Sequence, residues 1–126
     1  MAMNIAKLIS MCDELKPNQY DTEQKTQWLS EIEATVIDEI LNQAEGNEIK
    51  FEGYDYNIDS GKELLVPDAY ADLYLNYLMA KIDYFNAEYG RYNNSMTMFN
   101  LSYDRFAAYY IRNHMPKQKS SFPRCF

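Results

Sequence analysis

Histidine occurs once in this chain and cysteine twice. A single imidazole cannot supply the two Glu-x-x-His motifs of a di-iron bundle. Cys12 and Cys125 stand near opposite ends, without CxxC or metal-ligand spacing, so reduced thiols are expected. There is no Gly-rich phosphate loop, and no serine or cysteine has an evident basic partner. The sequence therefore predicts no enzyme, no metal and no cofactor. His114 ends a helical pattern, where the dipole favours a cation, which makes it a cap rather than a general base. Glycine and proline are scarce at four each while 47% of residues are hydrophobic, so the chain is not a disordered one. No apolar run approaches the roughly 20 residues needed to span a bilayer, and no basic segment followed by an apolar run opens the chain. No signal peptide, no membrane and a cytoplasmic residence are expected, which leaves the sequons at Asn93 and Asn100 without meaning.

What is present is a heptad. From Ala71 to Tyr110 large apolar residues recur in steps of four and three: Leu75, Leu78, Ile82, Phe85, Tyr89, Tyr92, Met96, Phe99, Tyr103 and Phe106 lie between them. That spacing puts all of them on one helical face, where a strand would need period two. Most are aromatic, and rings need a wide packed partner surface, so the pattern points to a bundle or oligomer rather than a lone zipper. Twelve tyrosines in 126 residues fit half-buried seams and a Tyr-rich core equally well. The length suits one domain that buries roughly two-thirds of its unfolded surface.

Along the chain, a first helix fits Met3 to Leu15 with Ile5, Leu8, Ile9 and Cys12 on one face, ended by Lys16-Pro17. Asp21 and Gln24 form a capping-box pattern for a second helix that reaches about Gln43, with Trp28, Leu29, Ile32, Val36, Ile40 and Leu41 inward. Glu31, Glu33, Asp38 and Glu39 read as its solvated face, and Gly46-Asn47 as its stop. Residues 47–66 change character: apolar residues alternate with polar ones around an Asn57–Gly61 turn, which predicts a β-hairpin-like insertion. The run from Asp55 to Gly61 has alternating oxygen ligands, but Ser60 and Val66 stand where a calcium loop needs Gly and Glu, so a polar turn is expected. Pro67 starts a third helix with a second stripe, Tyr70, Leu73, Tyr77, Ala80 and Tyr84, hence a helix buried from two directions. Gly90 and Asn93-Asn94-Ser95 mark a break; ordinary helix lengths favour two helices over one bent helix across 67–113. The fold class expected is mainly α, a small bundle of about four helices with the insertion at 45–66, forming one domain over residues 1–116.

Charge is uneven. With 19 acidic and 12 basic residues the net charge is −7, which argues against duplex nucleic acid as a tight ligand. Arg112, Lys117, Lys119 and Arg124 crowd the last fifteen residues, where no acid occurs; removing those four charges leaves −11 on the rest. A basic tail over 117–126 on an acidic body predicts docking of the tail on an acidic surface, a neighbouring copy included.

The stretch Leu64-Leu65-Val66-Pro67-Asp68-Ala69-Tyr70, then Leu73-Tyr74, Tyr77-Leu78, Ile82-Asp83, Asn86, Glu88 and Arg91-Tyr92-Asn93-Asn94, resembles small proteins encoded beside capsid genes in tailed phages and prophages of low-GC Gram-positive bacteria. It is similar to the head–tail connector (adaptor) family over residues 64–116, while residues 1–63 match in general plan alone. The resemblance implies a homo-oligomeric ring of about twelve copies below the portal at the head–tail interface of the virion, assembled in the host cytoplasm. Such a ring extends the DNA channel, lets DNA pass without specific binding, and docks the stopper or tail. It implies no catalytic residue. Candidate seam residues are then Tyr70, Tyr74, Tyr77 and Tyr84 on the third helix, packed inside the subunit on one side and against a neighbour on the other. Lys117, Lys119, Phe122, Arg124 and Phe126 would engage the portal, and the insertion would project toward the lumen or the next ring. Two other readings stand beside it: a small acidic inhibitor that mimics DNA, with its carboxylates on one exposed face, and a stand-alone helical enzyme subunit or metal-binding bundle.

Overall fold

The computed structural model describes residues 3–114 and contains four helices of eleven residues or more. Helix α1 (Ile5–Leu15) starts at Asn4, whose side-chain oxygen accepts the Lys7 N–H at 2.8 Å, and it stops at Lys16 just before Pro17. Helix α2 (Thr22–Glu39) starts at Asp21, whose carboxylate accepts the Gln24 N–H at 2.8 Å. Ile5, Leu8, Ile9 and Cys12 of α1 pack with Trp28, Leu29, Ile32, Val36 and Ile37 of α2 in one core. The α-helical pattern ends four residues short of Gln43: a 3₁₀ turn over Leu41–Gln43 carries the chain to Gly46, which takes φ +89°.

The expected hairpin does not form. No strand occurs among the described residues; the nearest thing is a single antiparallel bridge between Asn4 and Glu63. Side chains of α2 and its following turn take the place of a partner strand. The Asn42 carboxamide accepts the Ile49 N–H at 2.8 Å and donates to the Ile49 carbonyl at 2.9 Å, which is what a paired strand residue would do. Ser30 Oγ accepts the Tyr54 N–H, and Glu33 accepts the Leu65 N–H. These side chains satisfy amides that a strand ladder would otherwise have to pair. The turn itself is one helical turn, α3 (Tyr56–Asp59), capped by Asp55, whose carboxylate accepts the Asn57 N–H. That bond uses the Asp55 oxygen for the backbone, as a polar turn requires.

Pro67 leads into a 3₁₀ turn over Asp68–Tyr70 and then helix α4 (Asp72–Phe85); helix α5 (Tyr89–Asn113) returns along it. There are two helices here, and the break falls at 86–88, ahead of the Gly90–Ser95 region, which lies inside α5. Ala87 makes the reversal at φ +59°. The Glu88 N–H reaches the Asp83 carbonyl and the Ala87 N–H the Tyr84 carbonyl, a Schellman closure with alanine where glycine is usual. The heptad runs on across the break, but its two halves face different neighbours: Phe85 of α4 stacks on Trp28 of α2, whereas the second stripe meets α5, Tyr70 on Phe106, Tyr77 on Phe99 and Tyr84 on Tyr92. Helix α4 is indeed covered from two directions, by α5 on one side and by α1 and α2 on the other. Both covers belong to the same subunit. Helix α5 packs mainly on α4 and the 68–70 turn, and of its 25 residues only Phe99, Ser102 and Phe106 are buried.

Candidate functional site

Two arrangements stand out. The first is internal. Glu33 is fully buried, four residues on from Leu29 and three before Val36, so the helix carries it into the core. Its Oε1 accepts the Tyr74 hydroxyl at 2.6 Å; its Oε2 accepts the Tyr54 hydroxyl at 2.6 Å and the Leu65 N–H at 3.0 Å. Tyr74 in turn accepts the Val66 N–H at 3.0 Å. One carboxylate thereby ties α2, α4 and the insertion together. Burial, and then the Glu33 charge, push the phenols of Tyr54 and Tyr74 far above their ordinary range, so both keep donating. The same pairing recurs on the rim, Tyr77 to Glu31 at 3.2 Å and Tyr103 to Glu39. Three of the four acids expected to be solvated thus bind tyrosines. Two further charges are buried and paired: Asp83 holds Lys16 at 2.6 Å and accepts from Ser95 at 2.8 Å, and Lys25 holds Asp13.

The second arrangement is external, at the end where α4 turns into α5. Tyr84, Phe85 and Tyr89 are 48, 54 and 58% exposed, yet they form a contiguous set with Tyr92. Phe85 stacks on the core ring of Trp28 with centroids 5.6 Å apart and planes within 6°, and Tyr20 meets Trp28 edge-on at 5.4 Å. Beside this wall a cleft of about 430 Å³ opens between the helices, lined by Tyr77, Ala80, Lys81, Tyr84, Tyr92 and Met96. The Lys81 ammonium lies 5.4 Å from the Tyr77 ring centre and 3.3 Å from Glu31, which holds it at the rim. Rings, a thioether and one tethered ammonium offer a partner apolar area with polar edges. Aromatic rings and a thioether at a rim are common in protein–protein contacts, and none of these lining residues is a nucleophile with a base beside it.

The candidate seam residues separate. Tyr77 and Tyr84 line the cleft. Tyr70 lies at the other end of the α4–α5 seam, stacked on Tyr109 at 4.7 Å with the Arg105 guanidinium over its face. Tyr74 is fully buried against Glu33 and faces no surface, because α4 is sandwiched within its own subunit at that level. Lys117, Lys119, Phe122, Arg124 and Phe126 lie outside the described residues. His114 ends α5 with Nδ1 3.0 Å from the Tyr110 carbonyl and its ring stacked on Tyr110, a capping contact.

Sequence reasoning overlooked Phe85, Tyr89 and Tyr92 as surface and Glu33 as core. Phe85 and Tyr89 keep the heptad phase but flank the turn, where an antiparallel helix pair has no further residues to cover them. Glu33 was findable, since it and Lys25 share the face of Leu29. Comparison with protein-family models, with curated proteins and with solved structures gives no match for this chain.

Proposed function

We propose that this chain is the repeating subunit of a head–tail connector: a ring that sits below a portal, lengthens its DNA channel and docks the stopper or tail. The observation that carries the reading is the aromatic end. Tyr84, Phe85 and Tyr89 form an exposed cluster on a rigid helical turn, and such a patch is characteristic of a surface that another protein covers. The net charge of −7 suits a ring whose channel must let phosphates slide past. The basic residues Lys117, Lys119 and Arg124, with Phe122 and Phe126 as apolar anchors, serve as the arm toward the portal.

The rival reading, an acidic mimic of DNA, needs its carboxylates free and ranked on one face. Of the 19 acids, Glu31, Glu33 and Glu39 accept tyrosine hydroxyls and Asp13 and Asp83 hold lysines, which takes these five away from such a face. The test is capture by the portal encoded nearby. Wild-type chain is expected to bind it, and reversal of Lys117, Lys119 and Arg124 to glutamate is expected to abolish binding. Binding unchanged by the reversal removes the arm from the account.

A further inference from the structure

Helix α5 has one covered side. Phe99, Ser102 and Phe106 are buried on α4, and the residues on the opposite side are exposed along its length. That outer side is palindromic about the peptide between Asp104 and Arg105. Counting outward, Asp104 answers Arg105, Leu101 answers Ala108, Met98 answers Ile111, and Thr97 answers Arg112. At about 100° per residue, Leu101 and Ala108 lie within roughly 10° of the line through that midpoint, and the line points away from α4. Met98, Leu101 and Ile111 are 54, 61 and 63% exposed, large apolar side chains more than half open to solvent, with Ile111 also lining a cleft beside Ile40 and Ala44.

We infer that this face pairs with the same face of a second copy, antiparallel, about a two-fold axis at 104/105. The charges choose the direction. Antiparallel, each Asp104 meets the partner's Arg105, twice per pair. Parallel in register, like charges would meet at both positions. Asp104 is exposed and makes no ion pair among the described residues. Arg105 lies over the Tyr70 ring at 5.2 Å, 3.8 Å from Asp72 and 3.3 Å from the Ala69 carbonyl, and its 59% exposed side chain keeps donors to spare for a partner's Asp104. Leu101 of each copy sits on the small Ala108 of the other, which lets the backbones approach, and the antiparallel helix dipoles oppose favourably. The pairing from Thr97 to Arg112 runs about 24 Å along the helix.

A two-fold contact closes at two copies and cannot propagate into a ring, so this pair is a separate association. It leaves the aromatic end at the α4–α5 turn uncovered. The test is sedimentation equilibrium of the purified full chain over a range of concentrations. The expected mass rises from one chain toward twice 14.9 kDa. Asp104→Arg is expected to weaken the dimer at least tenfold by setting arginines against arginines, and Asp104→Arg combined with Arg105→Asp is expected to restore it. Leu101→Asp, at an exposed position, is expected to give a monomer with unchanged circular dichroism. A mass of one chain at every concentration overturns the inference. So does any assembly whose mass Asp104→Arg leaves unchanged.

Discussion

A glutamate with no exposed surface must have its lone pairs taken, and Glu33 meets that condition with two phenols and one backbone amide. Glu33→Ala would leave the Leu65 N–H and two hydroxyls without their acceptor, and urea unfolding is expected to show a loss of about 3 kcal/mol. Glu33→Gln keeps the volume and one acceptor, so its loss should be about half that. The phenols carry a pH signature. Tyr54, Tyr74, Tyr77 and Tyr103 are all raised above the ordinary value of 10.0, first by burial and then by the glutamate each one serves. Above pH 10 the unfolded chain loses phenolic protons that the folded chain retains. The stability contributed by this raise is therefore whole below that pH and falls as pH rises beyond it. Alkaline titration followed by tyrosinate absorbance is expected to show these rings ionising only as the protein unfolds. Ala87 is a second residue-scale case. Its φ of +59° costs an L-residue roughly 1–2 kcal/mol, so Ala87→Gly should stabilise the chain by up to about 1 kcal/mol after the extra unfolded-state entropy is subtracted.

Among elements, the insertion is the one whose structure comes from elsewhere in the chain. Three of its amides, those of Tyr54, Leu65 and Ile49, are satisfied by Ser30, Glu33 and Asn42, residues of α2 and the turn after it. Ser30→Ala removes the acceptor of the Tyr54 N–H. Amide exchange at Tyr54 should then accelerate while the helices keep their protection, with a stability loss of about 1–2 kcal/mol. The helices themselves were legible from the apolar spacing: Ile5, Leu8, Ile9, Cys12, Trp28, Leu29, Ile32 and Val36 are buried as their faces require. The caps at Asp21 and Lys16-Pro17 were legible for the same local reason. The insertion was misread because the alternating pairs Ile49/Phe51 and Tyr54/Tyr56 do describe a half-buried extended chain. Nothing in their own spacing tells whether a strand or a row of helix side chains will be the partner. The break at Ala87 was invisible because its sequence lacks the glycine that usually marks such a reversal. Of the candidate seam residues, Tyr77 and Tyr84 line the cleft between α4 and α5, while Tyr74 is buried. Phe85 and Tyr89 were hidden by a heptad that marks the covered side of each helix but not where the cover runs out.

For the whole molecule, the proposed assembly rests on an aromatic end, a one-sided α5 and an acidic body with a basic tail. If the aromatic end is the contact, Tyr84→Ala together with Tyr89→Ala should change unfolding free energy by no more than about 0.5 kcal/mol each, as exposed positions do. The same pair should weaken association with the portal at least tenfold. The measurement that bears most directly on the connector reading is mass by light scattering of the purified protein, alone and then mixed with the portal encoded nearby. The account predicts that the chain joins the portal at one copy per portal subunit, whether it starts as a ring, a monomer or a pair. A monomer or dimer whose mass and elution ignore the portal would contradict it and would put the acidic inhibitor first.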